Sequence, residues 1–524
     1  MTDQVAALIA EAERLPYGEA RTVLVERALR EAEALREPEP TIAARLALTQ
    51  AYQYGGEPAK SFATFSRTVA AYDAEPGRFT EWQAHRVLWQ YKWIMSDMRN
   101  FPEIPLRRAL DALDDMERRY RAAGTPHAVY AHRCRIAVHL GDEPGVKEWF
   151  HRWETTPRDG LSDCHACDLS GKAHVLSWLG RDAEAVAVAA PVVAGEFSCG
   201  VQPQGILCTL LLPYVRTGRL DAAADAHRRA YRLVQGQIGY LDDIGDHLEF
   251  CALTGHETRG LEILERELPW LDRPPSPTHA RRFMTGAALV LRRLMETGHD
   301  GLAVRRAGRD VPVPELHAEL AAGAREIAAR FDARNGNDVH TRRVEAALAA
   351  EPLVAHLPLL PHARHPTTGS PDEHWHRGTT ALDTPEPESV GMVASDAEPE
   401  SGQVVGSGAG REPGEVADST ADSVGGEGRI GGAVRDLVEA VAGFAARGDA
   451  VRAALARVDL CRAYLEARRP LDAAETAEEA LAMLDPADTA NLMAVRRTRA
   501  RALIQLREHD AGLAALREIG DAAA

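Results

Sequence analysis

The sequence predicts an all-α protein arranged as an α-α superhelix, and three observations carry that expectation. Four short turns recur at Leu140-Gly141-Asp142-Glu143, Leu179-Gly180-Arg181-Asp182, Thr217-Gly218-Arg219-Leu220 and Thr254-Gly255-His256-Glu257, with their glycines 39, 38 and 37 residues apart. A glycine that stops one amphipathic helix, followed by a polar residue and a second apolar stripe, marks a two-helix unit repeated along the chain. Helix-favouring Ala, Leu, Arg and Glu dominate, while aromatic residues supply only 6% of the 524 positions, which disfavours sheet. Lastly, Leu220, Ala223, Ala224, His227, Ala230, Tyr231 and Val234 fall at three- and four-residue steps, on one face of a helix. Ala223 and Ala224 let a neighbouring helix come close, while Arg219, Arg228, Arg229 and Arg232 point away from that face.

Taken in order, residues 1–357 read as a solenoid of helix pairs covering about 3–35, 40–75, 79–123, 126–155, 166–195, 203–235, 239–270 and 275–333, punctuated by Pro, Gly and polar clusters. Residues 358–430 read as a disordered acidic linker. From Pro366 to Arg429 there are 13 Asp and Glu against Arg377, Arg411 and Arg429, and Trp375 is the only aromatic residue, so the stretch cannot bury enough apolar surface to offset its ordering entropy. Residues 431–524 return to helical periodicity. They read as a small helical module: one helix near 431–446, then pairs at 449–484 and 487–519, with turns at 469–472 and 508–511 again 39 apart.

The segment from Leu212 to Tyr231, LPYVRTGRLDAAADAHRRAY, resembles the end of the first helix, the turn and the second helix of a tetratricopeptide repeat. Tyr464 to Leu481, YLEARRPLDAAETAEEAL, is similar to the same stretch. The chain departs from that family's repeat of about 34 residues in its longer spacing, in mostly lacking the Gly-x-x-Tyr element, and in carrying Arg469 where the turn glycine would stand. The resemblance implies a superhelical binding surface and a protein or peptide partner in the solenoid groove.

Charge and targeting signals narrow the partners. A formal net charge of −17 disfavours non-specific attraction to nucleic acid or anionic lipid. The first twenty residues lack the basic and apolar regions of a signal peptide, and no stretch reaches the roughly 18 consecutive apolar residues of a membrane span. A cytoplasmic protein is expected. Seven cysteines, an odd number mostly inside helical patterns, do not form a secreted disulfide framework.

The sharpest local chemistry is Asp163-Cys164-His165-Ala166-Cys167-Asp168, followed 32 residues later by Cys199. Cys-x-x-Cys can chelate one zinc from a single turn, and a structural site needs two more thiolate or imidazole ligands. If one helix begins near Cys167 and its antiparallel partner ends near Gly195, then Cys164, Cys167 and Cys199 lie at the same end of one repeat. His227 is the favoured fourth ligand, with His165, His174, Cys208 and His247 as alternatives. The competing readings are inert buried thiols and a redox Cys-x-x-Cys, although no thioredoxin-like βαβ pattern surrounds it. Two aromatic clusters, Trp82, Trp89, Tyr91 and Trp93 and then Trp149, Phe150 and Trp153, read as core, with a ligand groove as the alternative. The glycines at 406–410 have no preceding strand and no following Lys, which argues against a phosphate loop, and His374-Trp375-His376 is a weak metal motif within the linker. No nucleotide, metalloprotease, hydrolase or kinase motif set is visible. The expected function is therefore a non-catalytic interaction scaffold or adaptor, with a ligand- or peptide-responsive regulator as the alternative and an enzyme with an unrecognised site behind both.

Overall fold

The structure is a computed structural model that describes residues 2–359 and 426–519, apart from Arg468, 507–511 and 518. Most of the stretch read as linker, with the 406–410 glycines and His374-Trp375-His376, lies outside the described residues, as does the 508–511 turn. What is described is all-α but for one hairpin. The helix pairs are α1 (Thr2–Glu13) with α2 (Glu19–Leu35), α3 (Pro38–Tyr54) with α4 (Pro58–Ala74), α5 (Glu81–Met98) with α6 (Leu106–Ala122), α7 (His127–Leu140) with α8 (Glu143–Thr155), α9 (His165–Trp178) with α10 (Asp182–Val193), α11 (Gln204–Arg216) with α12 (Leu220–Val234), and α13 (Leu241–Leu253) with α14 (Glu257–Glu267). Then come α15 (Pro277–Glu296), β1 (Ala303–Arg306), β2 (Arg309–Pro312), α16 (Val313–Asn335) and α17 (Val339–Leu348), followed by α18 (Gly426–Ala446), α19 (Ala450–Glu466), α20 (Pro470–Met483) and α21 (Thr489–Gln505).

The turns form for the expected reason. Gly141, Gly180, Gly218 and Gly255 have φ of 72°, 73°, 72° and 74°, left-handed conformations that end a helix without a Cβ clash. Helix starts are marked locally too: Thr80 and Gln83 form a reciprocal cap on α5, and Pro sits in the first turn of α3, α4, α8 and α20. The antiparallel β1–β2 hairpin inside the eighth pair was not foreseen. Its signal is brief, since only Val304 and Val311 point into the core.

The array curls back on itself. Gly56, in the α3–α4 turn, lies against Ile238, ahead of α13. On another side, the Thr278 N–H bonds the Asn100 carbonyl at 3.3 Å, Arg334 bonds that of Phe101 at 3.0 Å, and Arg343 bonds that of Val138 at 2.8 Å. Helices α15 to α17 are thereby tied to the ends of α5 and α7, and the inner helices enclose a cupped channel. Trp153, Tyr91 and Phe150 are core residues, whereas Trp93 lines the channel and Trp82 is exposed. Among the described residues no helix is long and apolar enough to cross a membrane.

The C-terminal helices dock onto the first array. Leu471, Ala473 and Ala474 of α20 belong to the same apolar core as α12 to α15, and an ionic seam surrounds them. Arg228 meets Glu475 at 3.2 Å, Arg232 meets Glu475 and Glu479 at 3.6 and 3.5 Å, and Arg259 meets Asp472 at 3.8 Å. Two of the outward-pointing arginines of α12, Arg228 and Arg232, thus meet partners some 240 residues later in sequence, beyond the reach of any local pattern. Burial alone would raise the Asp472 carboxyl, but Arg259 and Arg469 more than reverse this and hold it below its ordinary value. Its contribution to docking is therefore full above the usual carboxylate pKa of about 3.9 and is lost as pH falls through the depressed value. Asp472→Ala removes the partner of Arg259 across the seam but leaves Glu262 at 2.9 Å from it, so the cost should fall below the about 3–5 kcal/mol of leaving a buried charge uncompensated. The expected result is faster hydrogen exchange in α12 and α14; unchanged exchange there would show that the seam does not hold the docked helices.

Candidate functional site: a charged channel with a cysteine cluster in its wall

The channel has a volume of about 1080 Å³ and is lined by α3, α5, α7, α9, α11, α13, α15 and α17. Its walls are polarised. Along α13, Asp242, Asp243, Asp246 and Glu249 face it, and Arg282 of α15 bonds Asp246 and lies 3.6 Å from Asp242. Burial raises Asp243 well above the usual carboxylate range, helped by Asp242 and Asp246, and takes Glu249 to about 7. Crowded carboxylates in a walled cavity cannot all ionise cheaply. Elsewhere on the wall, Arg99, Arg281 and Arg343 converge without a carboxylate within ion-pair distance, among the described residues. Burial and the charges of Arg282 and Arg343 lower the Arg281 guanidinium to about 10, and its Nε is buried without a hydrogen-bond partner. Arg99 is lowered to about 10 by burial and Arg135, and burial takes His174 and His340 to about 3. This part of the wall is cationic, with Asp97 and Asp242 attracting Arg99, and Asp332 and Asp242 attracting Arg281, only from beyond ion-pair distance.

The cysteines enter from two elements. Cys164 caps the N-terminus of α9, where its Sγ accepts the Cys167 N–H at 3.4 Å. Cys199 sits in a tight turn closed by backbone bonds in both directions with Gln202, at 3.3 and 3.1 Å, and the Val201 amide hydrogen-bonds its sulfur. Cys167 Sγ lies 3.5 Å from Cys199 Sγ, and the three sulfurs all fall within 4.8 Å of one another. Zinc–sulfur bonds of about 2.3 Å in tetrahedral geometry separate sulfurs by about 3.8 Å, so little movement would gather the set around one ion. Hydrogen bonds from the Cys167 and Cys199 thiols hold the Cys164 thiol far below its ordinary value, and the same sharing pushes Cys167 up. The helix N-terminus works in the same direction on Cys164.

The motif is anchored from below. The Asp168 carboxylate accepts the Trp153 indole N–H at 2.8 Å and lies 2.9 Å from Lys172 and 3.3 Å from Arg158. The neighbouring Asp163 meets Lys92 at 3.3 Å and Arg135 at 3.2 Å. Positive charge is therefore banked beside the sulfurs.

His227 requires a correction, because it does not join the cysteines. It points inward as its periodicity implies, but into the α12–α13 core, stacked on Tyr231 and Phe250, with Nδ1 3.0 Å from His247 Nδ1. The distance along α12 from His227 to the helix end decides this: a residue more than a turn inside cannot reach a site at the end of α9. The alternatives also lie outside the 4.8 Å set. His165 stacks on Phe197, His174 lines the channel, and Cys208 lies 3.5 Å from His247. The charged walls escaped the sequence reading. The i, i+4, i+7 spacing of Asp242, Asp246 and Glu249 within an otherwise apolar helix was a usable signal, whereas the arginines are spread over several helices and leave none.

Comparison with known protein families and with curated proteins gave no match.

Proposed function

We propose that the protein is a non-catalytic binding adaptor that holds an extended peptide segment of a partner protein in the channel, and that Cys164, Cys167 and Cys199 bind one zinc in the channel wall. The observation that carries the reading is a cavity of about 1080 Å³ whose wall holds both a carboxylate row and arginines without a carboxylate at ion-pair distance. Ordinary small-molecule sites occupy about 300–1,000 Å³, so this channel has room for several residues. A peptide brings carboxylate, ammonium and backbone hydrogen-bonding groups together, and its carboxylate could meet Arg99 and Arg281 at ion-pair distance, which no described carboxylate of the chain does. The likeness of 212–231 and 464–481 to tetratricopeptide repeats adds support, since such arrays act through their concave face. A cytoplasmic setting, where thiols stay reduced, fits seven free cysteines.

The test is a peptide library screened against the full chain and against Arg281→Glu. Bound peptides are expected to share an acidic residue, and the substitution should weaken them by at least about tenfold, the effect of losing a buried anchor. Binding indifferent to Arg281→Glu and Arg99→Glu would remove the channel from the mechanism. Turnover of a bound peptide, abolished by one channel substitution, would replace the adaptor reading with an enzyme.

A further inference from the structure

We propose that the metal site is open: its fourth coordination position faces the channel and accepts a thiolate or imidazole side chain of the bound peptide. The inference rests on the zinc reading above and deepens it. Zinc is almost always four-coordinate, and sites with only three protein ligands keep a position for an exchangeable one. Here three sulfurs lie within 4.8 Å of one another, and among the described residues no further His, Cys, Asp or Glu joins them. Placement supplies the direction, because Cys167 is itself part of the channel wall together with Tyr54, Lys92, Asp163 and Gln202. The backbone amides of Cys167 and Val201 bond the sulfurs of Cys164 and Cys199, so the chain itself holds these two side chains in place.

Charge decides which donors suit the position. Three thiolates on a divalent ion leave one net negative charge, which alone would repel an anionic fourth ligand. Lys92 and Arg135 lie within 3.3 Å of Asp163, and Lys172 and Arg158 within 3.3 Å of Asp168, so four cations face two carboxylates beside the motif. The surplus offsets the charge of the metal site and leaves a thiolate acceptable there as well as a neutral imidazole. On binding, a thiol would release its proton to solvent and form one metal–sulfur bond, displacing water. An imidazole would bind through its unprotonated nitrogen, with no change in oxidation state in either case. The consequence for recognition is a metal-read position: peptides with Cys or His at the register of Cys167 are selected over otherwise identical ones.

The experiment replaces zinc with cobalt(II) in the full-length protein and follows the visible d–d absorption, which reports the number and type of ligands. Titration first with imidazole and then, separately, with 2-mercaptoethanol is expected to shift the bands along a saturable isotherm with cobalt retained. Ser170→Trp puts an indole on the channel wall one helical turn beyond Cys167. It should leave cobalt content unchanged and weaken the imidazole isotherm by at least tenfold, while Ser177→Trp, two turns further along α9, should not. Cobalt bound with a spectrum indifferent to both probes would mean that the chain fills the fourth position itself; the open site would then be wrong and the zinc reading would stand. An isotherm unaffected by Ser170→Trp would place the opening outside the channel and overturn the proposal. Failure of protein that is folded by circular dichroism to take up cobalt or zinc would overturn both readings.

Discussion

Substituting Gly286 by alanine is expected to destabilise the first helical array by about 1–3 kcal/mol, and by valine by more, the range for forcing extra atoms into a packed interior. Helix propensity argues the other way, since alanine in a helix interior is favoured over glycine by about 1 kcal/mol. Packing decides the sign. A Cβ at Gly286 would stand 2.4 Å from the Gly245 carbonyl oxygen and 3.0 Å from the Leu248 Cβ, while one at Gly245 would stand 2.8 Å from the Arg282 backbone. The Gly245 and Arg282 atoms are backbone of a facing helix and the Leu248 Cβ is fixed to that backbone, so none can rotate away and α13 and α15 must separate. Their separation reaches the channel, because α13 carries the acidic wall and α15 carries Arg281 and Arg282. Thermal melting should show a lowered transition for Gly286→Ala and no change for Gly77→Ala, where a Cβ meets nothing within 4 Å. A Gly286 variant that melts higher than the parent would mean that the two helices have slack and that propensity governs.

The repeat architecture was legible because its determinants are local. Gly141, Gly180, Gly218 and Gly255 impose left-handed turns at a period that the eye can read, and α12 buries the face that its three- and four-residue steps define. The three cysteines were legible for a related reason: two lie within a single turn, and Cys199 follows from the antiparallel return of α10. What could not be read depends on contacts between distant segments. His227 is inward, as its spacing says, yet inward on α12 means toward His247 on the next helix, and only the packing of consecutive pairs determines that. Arg228, Arg232 and Arg259 look like solvated charges until α20 supplies Asp472, Glu475 and Glu479. The cationic pole is assembled from Arg99 just past the end of α5, Arg281 of α15 and Arg343 of α17, which meet only because the array curls. A polar residue on an inner helix reads as surface in sequence, since a channel and a surface place the same demand on a side chain.

Removing zinc is expected to loosen the junction between the start of α9 and the 199–202 turn, because the metal would tie together two segments that otherwise meet there through thiol contacts. The Cys167 and Cys199 sulfurs stand 3.5 Å apart, and His165 at the start of α9 stacks on Phe197 just before the turn. Purified protein should contain near-stoichiometric zinc by elemental analysis. Cys164→Ser or Cys199→Ser should lose it, lower the melting temperature, and speed hydrogen exchange around 196–204 and the first turn of α9. The size of the effect follows from what else holds the fold. Zinc contributes about 10–16 kcal/mol of apparent binding energy where it organises a whole small domain, but here the flanking helices are packed without it, so the stability lost should be a minor fraction of that figure. Acid should act in the same sense, since metal competes with protons for thiolates and affinity falls as pH is lowered. A metal-free sample, verified as folded, that melts unchanged and regains no zinc on titration would reduce these cysteines to packing residues. If its stability instead followed added reductant, a Cys167–Cys199 disulfide would be the better account, and the thiols would form a redox pair in place of a metal centre.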